Sequence, residues 1–245
     1  TNIYNNKKEH NLVDDYKNIL KKTNESQGHG KAWEIDIQEK GYGIKNPKEK
    51  YKSNAKYDIP AEDNLLNSKN VSVKTTGKNA IDCADIIRFL TSNNMDIIII
   101  CYKQEGDYKV VERTVTINFD SVVKVIKGEF NGEDGFNTWI QKIKDYIQRV
   151  KDAPKNTKIK ELPCKKTLEL SYFGIRPKTG QNRVQCELKL EKILPLLKEK
   201  EDYKTEVGAF IDGKPYTAKI YSPYRDRNSL TIDRMKKFAK SKEFN

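Results

Sequence analysis

Between positions 56 and 90 the chain reads KYDIPAEDNLLNSKNVSVKTTGKNAIDCADIIRFL, and a few of its side chains have the types and order to act on a phosphodiester. Asp58 stands at the end of a strand-like KYDI, Lys74 falls in the exposed phase of NVSVKT, and Asp82 and Asp85 follow in an acidic segment. Hydrolysing a phosphodiester requires a cation to neutralise the charge that develops on the phosphoryl group and to activate water, and oxygen ligands suit Mg2+. Asp58 can supply one such ligand, and the main-chain carbonyl of Val73 a neutral one. Lys74 can point at the same spot to stabilise an attacking hydroxide or the phosphate.

Such a site needs rigid elements to hold it. The period-two alternation of NVSVKT puts Val71 and Val73 on one face of a strand and Ser72 and Lys74 on the other. Pro60 closes KYDI, and AIDCADIIRFL predicts a helix that buries Ile86, Phe89 and Leu90 and carries Asp82 and Asp85 one turn apart. The unbroken aliphatics of MDIIIICYKQ predict a strand buried on both faces. YKVVERTVTINFD is its expected antiparallel partner across the EGD turn.

Upstream, residues 11–23 predict a first helix, and residues 31–39 a second one carrying Trp33, Ile35 and Ile37 with Glu34 among them. His29, between two glycines, reads as a turn residue. Downstream, residues 134–151 predict a long amphipathic helix. TLELSYFGIRP and NRVQCELKL read as two strands, or a strand and a short helix, joined by the basic loop RPKTGQNR. IDGKPY is a β-turn signal, and TIDRMKKFAKSK a basic helix. These elements add up to an α/β protein with a central mixed β-sheet flanked by helices.

The arrangement resembles the restriction-endonuclease-like nucleases known by their PD-(D/E)XK motif. Asp58 matches the first aspartate, and Ser72-Val73-Lys74 the (D/E)XK tripeptide, with serine in place of the second acid. The resemblance covers roughly residues 28–118. It implies a restriction-endonuclease-like core, Mg2+ as cofactor, and Asp58, Lys74 and a second carboxylate as catalytic residues. A subgroup of type II restriction enzymes with SXK brings that carboxylate from the following helix. Asp85 is the favoured substitute here, with Asp82 as a helix cap and Glu62 and Asp63 as further candidates. Glu34 matches the glutamate that many of these nucleases carry on the helix before the first aspartate.

Composition bears on the partner. The formal net charge of +12 and the 47 lysines and arginines among 245 residues create a field that concentrates polyanions, nucleic acid foremost. The longest apolar run, Ile97 to Cys101, is far short of the roughly 20 residues of a membrane span. TNIYNNKKEH lacks the apolar block of a secretion signal, so a cytoplasmic protein with reduced thiols is expected. Four cysteines without a CxxC pair and two histidines argue against structural zinc, and Cys83 reads as a packing residue. The length suits a single domain, with a catalytic core at about 28–150 and a DNA-contacting extension of that domain at 151–245.

Expected DNA contacts lie in three places. Ser72, Thr75, Thr76, Lys78 and Asn79 adjoin the catalytic lysine. Arg176, Lys178, Gln181, Asn182 and Arg183 offer guanidinium and amide groups that can read guanine and adenine. Tyr224, Arg225 and Arg227 form a second basic-polar loop. The expectation is a type II restriction endonuclease that cuts double-stranded DNA at a short site, as a homodimer matched to a palindrome. The alternatives are a repair, recombination or mobile-element nuclease of the same fold, and a non-catalytic basic nucleic-acid-binding module.

Overall fold

The computed structural model describes residues 28–51, 57–153, 165–177 and 184–222. Helix α1 (Gly28–Asp36) continues into a wider π turn at Ile37–Gly41 and is followed by strands β1 (Asn70–Thr76) and β2 (Ala80–Asp85). Next come the short helix α2 (Ile86–Leu90), strands β3 (Met95–Glu105) and β4 (Tyr108–Asn118), and helices α3 (Phe119–Glu129) and α4 (Glu133–Asp152). The remaining strands are β5 (Phe173–Pro177), β6 (Val184–Lys189), β7 (Tyr203–Val207), β8 (Phe210–Ile211), β9 (Lys214–Pro215) and β10 (Lys219–Tyr221). The expected helices at 11–23 and at TIDRMKKFAKSK lie outside the described residues.

The protein is α/β, with a five-stranded mixed sheet in which β3 and β4 are central, β1 forms one edge, and β7 and β10 share the far side of β4. β1 runs parallel to β3, with Lys74 opposite Ile99, and β3 turns into β4 as an antiparallel hairpin. The aliphatic run is buried on both faces, as its pattern predicts. Ile97 and Ile99 pack with Ile86, Phe89, Val122 and Ile126 on one side, while Ile98 and Ile100 pack with Trp33, Ile37, Val71 and Val73 on the other. All four isoleucines are fully buried, and each contributes roughly 1.5–3 kcal/mol. This makes β3 the fixed axis against which β1 and α1 are placed.

A smaller antiparallel sheet, β2-β6-β5, lies beside the first. It corrects the sequence reading of AIDCADIIRFL as one helix. Ile81 and Cys83 are buried at period two, and β6 offers β2 a partner edge, so Ala80–Asp85 is a strand and only Ile86–Leu90 is helical. Of KYDI, the described residues 57–59 form a single bridge, between Ile59 and Val71. His29 is not a turn residue: it is buried inside α1 between Trp33 and Tyr102, and burial and the neighbouring Lys109 lower its pKa to about 4.

The segment after residue 150 is woven into both sheets, since β6 pairs with β2, and β7 and β10 pair with β4. IDGKPY turns β8 into β9 with Asp212 and Gly213 both at positive φ, 48° and 74°, the geometry of a two-residue hairpin turn. No helix among the described residues is long and apolar enough to cross a membrane.

Candidate active site at the edge of the central sheet

β1 has β3 on one side, and among the described residues its other side is bridged only at Val71, by Ile59. Past that bridge, the N–H and C=O of Val73 face outward from the sheet, where a strand edge offers unpaired donors and acceptors. Asp58 precedes the bridge by one residue and fills this position. The Val73 N–H donates to Asp58 Oδ2 at 2.6 Å, and Ser72 Oγ donates to the same oxygen at 3.3 Å. Lys74 folds back along its strand, so that Nζ donates to Ser72 Oγ at 2.8 Å and to the Val73 carbonyl at 3.3 Å. Asp58 and Lys74 are therefore joined through Ser72, whose hydroxyl accepts from the ammonium and donates to the carboxylate.

Helix α1 brings the second acid. A Cβ added at Gly30 would lie 3.4 Å from Thr75 Oγ1, so the absence of a side chain there lets the helix lie close to β1. One turn later Glu34 pairs with Lys31, and its side chain is only 17% exposed. Burial raises the Glu34 carboxyl above its ordinary value and the charge of Asp58 pushes the same way, while Lys31 and Lys74 oppose them. Two carboxylates that feel each other's charge disfavour joint ionisation unless a positive charge stands near them.

A positioning group that the sequence reading missed is Gln38. Its buried amide donates to the Asp58 main-chain carbonyl at 2.6 Å and so fixes the backbone that carries the carboxylate. The signal was available, because Glu34 and Gln38 are four residues apart and fall on one helical face.

The structure gives Asp85, the expected second metal ligand, the work of a helix cap. Asp85 ends β2 in the smaller sheet, and its carboxylate accepts the Arg88 N–H at 2.9 Å as the N-cap of α2. Asp82 is likewise spent locally, on the N–H of Ala84 at 2.9 Å, where the backbone turns to φ 60°. Asp63 accepts the Tyr51 hydroxyl at 2.7 Å and pairs with Lys50, while Glu62 is exposed. Among the described residues no three His, Cys, Asp or Glu side chains gather to hold a metal. The donors at this edge are oxygens, those of Asp58 and the Val73 carbonyl, with Glu34 within electrostatic reach of Asp58, and oxygen donors favour hard cations over zinc.

The expected DNA contacts divide in the same way. Thr75 and Ser72 are half-buried, and Lys78 and Asn79 are exposed in the turn after β1. Thr76 is a correction: it is buried, and its hydroxyl accepts the Lys78 N–H at 3.0 Å and donates to the Ala80 carbonyl at 2.7 Å, which closes that turn. Arg176 forms an ion pair with Glu187 across β5 and β6. Lys178, Gln181, Asn182, Arg183, Tyr224, Arg225 and Arg227 lie outside the described residues.

Compared with known proteins, the chain matches no family model, no curated protein and no solved structure.

Proposed function

We propose that this chain is a Mg2+-dependent nuclease with a restriction-endonuclease-like core, acting on double-stranded DNA as a homodimeric type II restriction endonuclease. The observation that carries the reading is the hydrogen-bonded set at the open edge of β1, where Asp58, held by the Val73 N–H, meets Lys74 through Ser72. Glu34 takes the place first given to Asp85.

Asp58, Glu34 and the Val73 carbonyl would hold Mg2+, which when bound would neutralise phosphoryl charge and make a coordinated water more acidic. The remaining work belongs to the chain's own groups. Lys74 presents its ammonium to the phosphate oxygens as they become more negative, an electrostatic contribution already aimed before the reaction starts. The Val73 N–H and the Gln38 amide hold Asp58 from both its side chain and its backbone, so little reorganisation is left for the chemical step. The net charge of +12 supports binding through phosphates, which weakens with salt.

Digestion of a plasmid of known sequence with Mg2+ tests the reading. Discrete fragments are expected. A smear, or cutting only of branched DNA, would replace it with the structure-specific nuclease. Metal-independent binding without cutting would replace it with the non-catalytic module.

A further inference from the structure

β4 carries a bulge beside this site. Arg113 stands opposite Cys101 and Val111 opposite Tyr102, so Glu112 has no partner on β3. Bulges of this kind re-aim side chains, and here Glu112 and Arg113 line a cavity of about 450 Å3 together with Gly77, Lys78, Asn79 and Tyr102. Its position follows from the strand register. Lys74, Ile99 and Val115 form one rung across β1, β3 and β4, and Thr76, Cys101 and Arg113 form the next rung on the same face. Two residues along a strand separate the rungs by about 7 Å, and β4 lies two strand spacings from β1, so the Arg113 backbone is roughly 12 Å from that of Lys74, on the order of two steps between neighbouring phosphates of one DNA strand.

The walls of the cavity are firm. A Cβ on Gly77 would come within 3.0 Å of the Tyr102 ring, so the turn after β1 rests directly on that ring. Trp33, His29 and the ammonium of Lys109 contact the same ring and fix its orientation. Lys78 and Arg113 are both exposed and supply two positive charges, while Asn79 and Glu112 supply an amide and an acceptor of the kind that engage base edges.

We infer that this cavity receives a nucleotide two phosphates from the scissile one, with Lys78 and Arg113 on its phosphate and Asn79 and Glu112 towards its base. The inference rests on the nuclease reading and extends it to a substrate subsite.

The test is a double-mutant cycle between protein and DNA. A fluorescent duplex containing the mapped cleavage site is prepared with an uncharged methylphosphonate at the second phosphate from the cut, and affinity is measured without divalent metal. Wild-type protein should lose about tenfold in affinity on that replacement, the size of a hydrogen bond to a charged group. The Lys78→Ala/Arg113→Ala variant should bind both duplexes equally, whereas Arg113→Lys, which keeps the charge, should remain sensitive. Equal losses in wild type and the double variant overturn the cavity inference and leave the nuclease reading intact. A wild-type protein that does not cut the unmodified duplex with Mg2+ overturns the reading beneath it.

Discussion

Two pairs of acids flank the strand that carries Lys74, and they meet opposite fates. Glu34 and Asp58 come from a helix and a bridge more than twenty residues apart; Asp58 takes an outward-facing N–H of β1, and Glu34 feels its charge. Asp82 and Asp85 are neighbours in sequence, yet each is consumed within three residues by a backbone N–H of its own segment. The difference shows how a carboxylate becomes available for chemistry. Each of Asp58, Asp82 and Asp85 accepts a fixed N–H, so what differs is the neighbourhood: Asp58 lies beside Lys74, to which Ser72 joins it, whereas the other two serve their own turn and cap.

Variants can break or sharpen this contrast. The largest effect is expected at the open edge: Lys74→Ala or Asp58→Asn should lower the cleavage rate by at least 100-fold, as removal of a preorganised electrostatic group does. DNA affinity of Lys74→Ala should stay within about tenfold, since one charge among many phosphate contacts is lost. Normal cutting by either variant, in a time course on plasmid DNA, removes the assignment of this edge as the active site.

Glu34→Gln should also reduce cleavage markedly, but with an opposite effect on stability. The raised pKa of Glu34 means that its contribution to folding is complete below its unfolded value of 4.5 and is lost as pH rises through the folded value. Glutamine removes that loss. The metal-free variant should therefore be more stable than wild type at pH 7, by about 1 kcal/mol in thermal or urea unfolding. For the same reason Mg2+ binding by the wild type should weaken, as the solution is acidified, at a higher pH than an ordinary glutamate would dictate, as calorimetric titration with Mg2+ would show. A variant less stable than wild type at neutral pH would mean that the two acids do not strain each other.

The other pair should behave as structure. Asp85→Ala should cost about 1 kcal/mol through loss of the cap on α2 and leave cleavage at the wild-type rate. Asp82→Ala, at an exposed strand position, should change stability by no more than about 0.5 kcal/mol. Loss of cutting in Asp85→Ala, with a melting curve like that of wild type, would return Asp85 to the metal site.

Much of the scaffold was legible because its signals are local and repetitive. The aliphatic run of β3, the EGD turn into β4, the spacing along α4 and the IDGKPY hairpin each fixed an element from its own residues. The reading failed at residues 80–85, where AIDCAD fits a helical face and a strand about equally well. What decided it was β6, some hundred residues later in sequence, whose edge gives β2 a partner. The placement of Asp85 changes with it, since the expected helix would carry it on the same element as Asp82 and the strand ends it at a cap.

The sequence by itself determined the chemical inventory and its spacing: an aspartate before a strand, a lysine in the exposed phase of that strand, and a surplus of positive charge. Periodicity and side-chain type are properties of neighbouring residues, so they survive without tertiary structure. Which second acid stands beside Asp58, how Gln38 braces it, and where the bulge opens a cavity were decided only by packing. Those choices depend on contacts between segments distant in the chain, and no local pattern encodes which edge a helix will lie along.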